Sequence, residues 1–151
     1  MKRFLLLFLA TVVTAWSASA QLSVSQLRTE HLTDPVGIGE RRPLLSWEVS
    51  DASRRGVTQS AYEIRVKSGG RTVWRTGKVA SAESAGVFYD GTPLTSDTRY
   101  TWQVRVWDDR GKASAWSRPA FWRTGLFDVG EWQARWIEPA VSDDLAAMFR
   151  R

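Results

Sequence analysis

The 151-residue chain contains no cysteine and a single histidine. Without cysteine it cannot be a disulfide-stapled miniature, and it cannot carry a lipid through a terminal cysteine thioether. Its stability must come from a hydrophobic core. The lone His31 lies in a polar stretch with Glu30 and Asp34. A metal site wants several ligands of suitable type, and a catalytic imidazole wants a partner held nearby, so His31 reads as a solvated loop residue. No cofactor and no metal is expected. Long apolar runs are scarce too: the longest, Phe4 to Trp16, has thirteen residues, short of the about 20 that cross a bilayer. Nor is there a basic stripe. The arginines (Arg28, Arg41, Arg54, Arg65, Arg75, Arg99, Arg105, Arg118) are scattered along the chain, which argues against a nucleic-acid partner.

What is present begins with a leader. Lys2 and Arg3, the apolar stretch to Trp16 and the small residues Ala18-Ser19-Ala20 have the layout of a secretory signal peptide cut after Ala20. The expected location is therefore secreted or periplasmic, with no membrane partner after cleavage. Losing Lys2 and Arg3 takes the formal charge from +5 to +3, so the basic character of the whole chain overstates any affinity for anions. Eight of the nine tryptophans remain in the mature part, and each can bury a large apolar area.

Period-two alternation marks the strands. Leu22, Val24 and Leu27 open; Leu45, Trp47 and Val49 follow; Tyr62, Ile64 and Val66 alternate with outward Glu63, Arg65 and Lys67. Short strands are expected around Trp74 and over Val87 to Tyr89. Tyr100, Trp102, Val104 and Val106 form a long strand, the turn Asp108-Asp109-Arg110-Gly111 follows, and a last strand runs from about Trp116 to Thr124. Leu94, six residues before Tyr100, fits a tyrosine corner. About seven strands and no helical periodicity before residue 140 predict an all-β, immunoglobulin or fibronectin type III-like sandwich, with a closed barrel as the competing arrangement. The expected organisation is a signal peptide (1–20), a sandwich (21–126), a Trp-rich connector (127–139) and the start of a following β domain, cut short (140–151).

The order Pro43-Leu44-Leu45-Ser46-Trp47, Gln59 to Val66, Gly77-Lys78-Val79, Tyr100 to Asp108, Trp116-Ser117 with Phe121, and Gly125-Leu126 with Trp132 to Ile137 resembles the amino-terminal module of bacterial α-L-rhamnosidases of glycoside hydrolase family 78. The resemblance runs from about residue 22 to 151. It implies a non-catalytic accessory module that braces or orients the downstream domains of the same polypeptide, an enzyme hydrolysing terminal α-L-rhamnosides. The catalytic acids of that family have no counterpart here. Two other readings are a carbohydrate-binding module for a rhamnose-containing glycan and a standalone secreted interaction domain.

Candidate residues divide by phase. Trp47, Tyr62, Tyr100 and Trp102 share the phase of their strands' aliphatic residues and are assigned to the core. Trp107 is out of phase, Trp74 sits in a short strand, and of the consecutive Phe121 and Trp122 one must face outward. Trp74, Trp107 and Trp122 are thus the candidates for stacking on a sugar, while Trp107, Trp132, Trp136 and Ile137 are the candidates for interdomain packing, the favoured use. No catalytic residue is assigned. Asp108 and Asp109 are neighbours in a turn, whereas glycoside hydrolysis needs two carboxyls facing each other about 5–10 Å apart.

Overall fold

A computed structural model describes residues 22–135. The expected leader, Trp136 and Ile137 of the connector, and segment 140–151 lie outside the described residues. Nine strands are present among those described: β1 (Ser23–Thr29), β2 (Val36–Ile38), β3 (Leu44–Ser50), β4 (Gln59–Ser68), β5 (Arg71–Arg75), β6 (Val79–Ala80), β7 (Val87–Phe88), β8 (Arg99–Asp108) and β9 (Ala120–Thr124). They make a three-stranded sheet, β1-β3-β7, and a larger one, β2-β9-β8-β4-β5, with β6 beside β4. The sheets stay separate, so the architecture is the immunoglobulin-like sandwich rather than a barrel. Every pairing is antiparallel except β2 on β9.

The core lies between the sheets and holds the rings that share the aliphatic phase. Trp47 from the small sheet meets Tyr62 from the large one edge-on at 5.3 Å, and its indole N–H donates to Gln59 Oε1 at 3.0 Å. Trp102 lies deep among Ile64, Val66, Val104 and Val106 in the same cluster. Tyr100 is stacked on Trp122 at 5.4 Å. Its phenol oxygen accepts the Thr95 backbone N–H at 3.0 Å, next to buried Leu94, which makes the tyrosine corner real geometry.

Three local expectations are corrected. The stretch with Asp34-Pro35 and Gly37 to Gly39 reads as irregular from its sequence, yet it contains β2, which pairs in parallel with the end of β9; three residues are too few to display alternation. The last strand begins at Ala120 rather than Trp116. Before it, Ser117 Oγ and Ser114 Oγ accept the N–H groups of Val104 and Val106, so side chains replace a regular ladder there. Finally, Glu63 lies on the outer face as its phase requires, yet it is buried rather than solvated.

Candidate functional site

The alternation that sends Tyr62, Ile64, Val66, Tyr100, Trp102 and Val104 inward sends Glu63, Arg65, Gln103 and Arg105 to the outer face of the large sheet. Register places Glu63 opposite Arg105 and Arg65 opposite Gln103. Glu63 Oε1 accepts from Arg75 Nε at 2.5 Å, while Oε2 accepts from Arg105 Nε at 2.7 Å and pairs with its terminal nitrogen at 2.6 Å. The Glu63 side chain is 3% exposed, against 58% for Arg75 and 31% for Arg105. Burial by itself would raise the Glu63 carboxyl, but the hydrogen bonds and charges of the two guanidinium groups outweigh it and hold the group below its ordinary value.

Rings and cations alternate around this triad. The Arg65 guanidinium lies 4.3 Å from the Trp116 ring centre and Arg105 lies 4.9 Å from it. Arg105 is also 5.0 Å from the Trp107 ring, which carries Lys78 Nζ at 4.8 Å. Farther along, Arg99 sits 3.8 Å above Phe121. The out-of-phase Trp107 is therefore a half-buried member of a cation–π array on this face. Trp116 belongs to the array as well and was missed, because the irregular segment carrying it hides its phase.

The sugar-stacking candidates fare differently. Trp122 has 0% exposure, sealed between Tyr89 and Tyr100, so no ring face is open to a ligand; of the consecutive pair, Phe121 is the one that faces out. Trp74 packs edge-on against Tyr89 at 5.0 Å on the margin of the core. Trp107 already carries two cations.

The other end of the sandwich, where β9 finishes, binds the start of the connector. Ser96 Oγ donates to Glu131 Oε2 at 2.5 Å, and the same carboxylate oxygen accepts the N–H groups of Phe127 and Asp128. These hydrogen bonds, led by that from Ser96, draw the Glu131 carboxyl below its ordinary value. Arg41 lies 4.5 Å over the Phe127 ring and pairs with Asp128 at 3.3 Å. A short 3-10 turn, Val129–Glu131, follows and leaves Trp132 64% exposed. Trp107 is at the opposite end of β8 from this exit, eight residues from Arg99, or about 27 Å at strand rise.

The carboxylates serve local structure. Asp108 Oδ1 accepts the Arg110 and Lys112 N–H groups, and Arg54 pairs with both Asp108 and Asp109. A shallow depression of about 190 Å³ brings Asp51 and Asp108 together with Arg54, Arg110 and Lys112. There the Ser53 hydroxyl and backbone N–H push the Asp51 carboxyl down, whereas a general acid needs the opposite displacement. His31 is exposed in a turn, at φ 63°. Among the described residues no group of three or more His, Cys, Asp and Glu is disposed to hold a metal.

A family model, "Rha78A-like, N-terminal immunoglobulin domain", matches residues 24–128. The chain belongs to this family. The immunoglobulin domain is 44% identical over 121 residues to an α-L-rhamnosidase of Streptomyces avermitilis, covering 77% of this chain and 12% of that protein. It is 39% identical over 113 residues to an α-L-rhamnosidase of Formosa agariphila, covering 70% and 12%. Among solved structures, that of the Streptomyces avermitilis α-L-rhamnosidase complexed with L-rhamnose superposes with a TM-score of 0.74 at 44% identity, over 79% of this chain and 12% of the other. The α-L-rhamnosidase from Dictyoglumus thermophilum gives 0.72 at 33% identity, over 77% and 14%. The chain thus spans about one eighth of the relatives it matches.

Proposed function

We propose that this immunoglobulin domain is a non-catalytic accessory module of a secreted α-L-rhamnosidase, and that it fixes the orientation of the domains that follow it. The observation carrying this reading is the match of residues 24–128 to the amino-terminal domain of proteins of which the chain covers 12%. The residues supply a means. Ser96, Arg41 and Glu131 clamp the chain as it leaves β9, which sets the exit direction, and exposed Trp132 offers an apolar anchor beside it. Trp136 and Ile137 extend that apolar run in sequence. Trp107 lies toward the far end of β8 from this exit, so the proposed anchor does not include it. Under this reading the leader is removed after Ala20 and the product is exported.

Three measurements test the reading. The purified chain incubated with an aryl α-L-rhamnoside should release no aryl alcohol; turnover that co-purifies with it through several separations defeats the non-catalytic assignment. Placed ahead of a rhamnosidase deprived of its own amino-terminal domain, the chain should lengthen the enzyme's thermal half-life, and Trp132→Ala should abolish that gain. An equal half-life with and without the chain refutes bracing. Neutral rhamnose oligosaccharides should leave the tryptophan fluorescence flat, since Trp122 is sealed in the core, Trp107 already carries two cations and Trp74 is packed against Tyr89.

A further inference from the structure

The arginines that look dispersed in sequence are collected by the fold. The outer face of the large sheet presents Arg65, Lys67, Arg75, Lys78, Arg99, Arg105 and Arg123 against two carboxylates, Glu63, shared between Arg75 and Arg105, and Asp97, paired with Arg123. The rest of the described residues carry ten Lys and Arg against eleven Asp and Glu. The positive excess of the domain is therefore confined to one face.

That face is also organised. Trp116, Trp107 and Phe121 hold the cations of Arg65, Arg105, Lys78 and Arg99 against their rings. A cation held this way has lost part of its freedom already. Arg75 and Arg105 spend donors on Glu63 and Arg65 spends one on Gln103, so Arg99 with Lys67 and Lys78 supplies the donors for an incoming oxyanion. The row follows β8 for about 27 Å. It suits an extended chain of anions laid along the sheet better than a small anion in a pocket. Nucleobases would need open ring faces for stacking, and here cations occupy them.

We propose that this face binds a linear polysaccharide of sugar acids, its carboxylates paired with the ring-supported cations. The choice of a glycan over other polyanions rests on the accessory-module reading above, because the substrate of such an enzyme is itself a carbohydrate. The neutral-sugar stacking site considered from sequence is a different thing: here charge, not the ring face, makes the contact.

The test is binding of polygalacturonate fragments by the purified chain, with neutral dextran as the blank, at about 0.1 M and about 1 M salt, where the screening length falls from about 10 Å to about 3 Å. Binding should be seen at low salt and vanish at high salt. The variant Lys67→Gln/Lys78→Gln/Arg99→Gln should lose affinity by about tenfold or more. The equal-charge control Arg28→Gln/Arg55→Gln/Arg110→Gln, all on exposed residues elsewhere, should retain it. Melting temperatures show whether each variant folds. If the face variant is misfolded, the single variants Lys78→Gln and Arg99→Gln carry the comparison, each weakening binding while the control does not. No binding at low salt, or equal loss in both triple variants, overturns the proposal. Tighter capture of polyglutamate or of single-stranded DNA overturns the choice of a glycan. Turnover of the rhamnoside would defeat the accessory reading and leave the face standing, whereas silence toward polygalacturonate does the reverse.

Discussion

Changing Glu63 to glutamine takes away the one carboxylate that Arg75 and Arg105 share while nearly preserving its shape. Hydrogen bonds to a charged group contribute about 1.5–3 kcal/mol each, and Glu63 accepts one from each arginine, at 2.5 and 2.7 Å. Both arginines can regain water once released, Arg75 more easily than Arg105, so the lower end of that range applies. The expected loss is about 2–3 kcal/mol, which lowers the melting temperature of a domain this size by about 10 °C. Tryptophan fluorescence followed through a thermal ramp reads it directly. The pH dependence supplies a second check. Because the folded carboxyl is held below its ordinary value of 4.5, its contribution is complete above that value and disappears as pH drops through the lower folded-state value. The gap in melting temperature between the parent chain and Glu63→Gln should thus be constant from about pH 8 to about pH 6 and shrink below pH 4.5. A variant melting within about 2 °C of the parent at neutral pH, or a gap unchanged into acid, refutes the account of Glu63 as a buried counter-ion.

Trp122→Ala should cost about 3–5 kcal/mol and unfold much of the population, whereas Phe121→Ala, on the outer face, should cost about 1 kcal/mol or less; denaturant titrations separate them, and equal costs contradict the assigned facing. Tyr100→Phe removes the acceptor for the Thr95 N–H, and chemical denaturation should show a loss of about 1–1.5 kcal/mol with an unchanged slope. Gly91→Ala would set a methyl group 2.5 Å from Tyr89 Oη and 2.6 Å from Trp74 Cβ. Overpacking there should lower stability by about 1–3 kcal/mol, and a neutral result would mean that the Trp74–Tyr89 contact yields.

The fold was legible where strands were long and half-buried. Tyr62-Ile64-Val66 and Tyr100 to Val106 alternate without a break, and Trp47 keeps step with Leu45, so β3, β4 and β8 could be read from phase alone. β2 and β6 could not: three and two residues hold no period, and tertiary pairing with β9 and β4 makes them strands. Trp74 and Trp122 were harder because a ring in a five-residue strand can satisfy either phase until the opposing sheet is known. The cationic face was hidden for another reason. Its members are far apart in sequence, and proximity comes from β4 and β8 lying side by side with Glu63 opposite Arg105. A signal did exist, since Arg65 and Arg105 fall between core residues and Lys67 and Arg99 each adjoin one. Laying the two alternations side by side would have revealed the cluster. Nothing in sequence announces the burial of Glu63, which follows from the arms of two arginines closing over it.

The lone parallel pairing has a mechanical consequence. β2 comes early in the domain and β9 late; the N–H groups of Arg123 and of Gly125, just past β9, donate to the carbonyls of Pro35, just before β2, and Ile38. Tension drawn between the two flanks of the domain would pull these strands in opposite directions along their shared axis. Their bonds would then bear the load together rather than opening one at a time, which makes this seam a strong link between the two flanks of the domain.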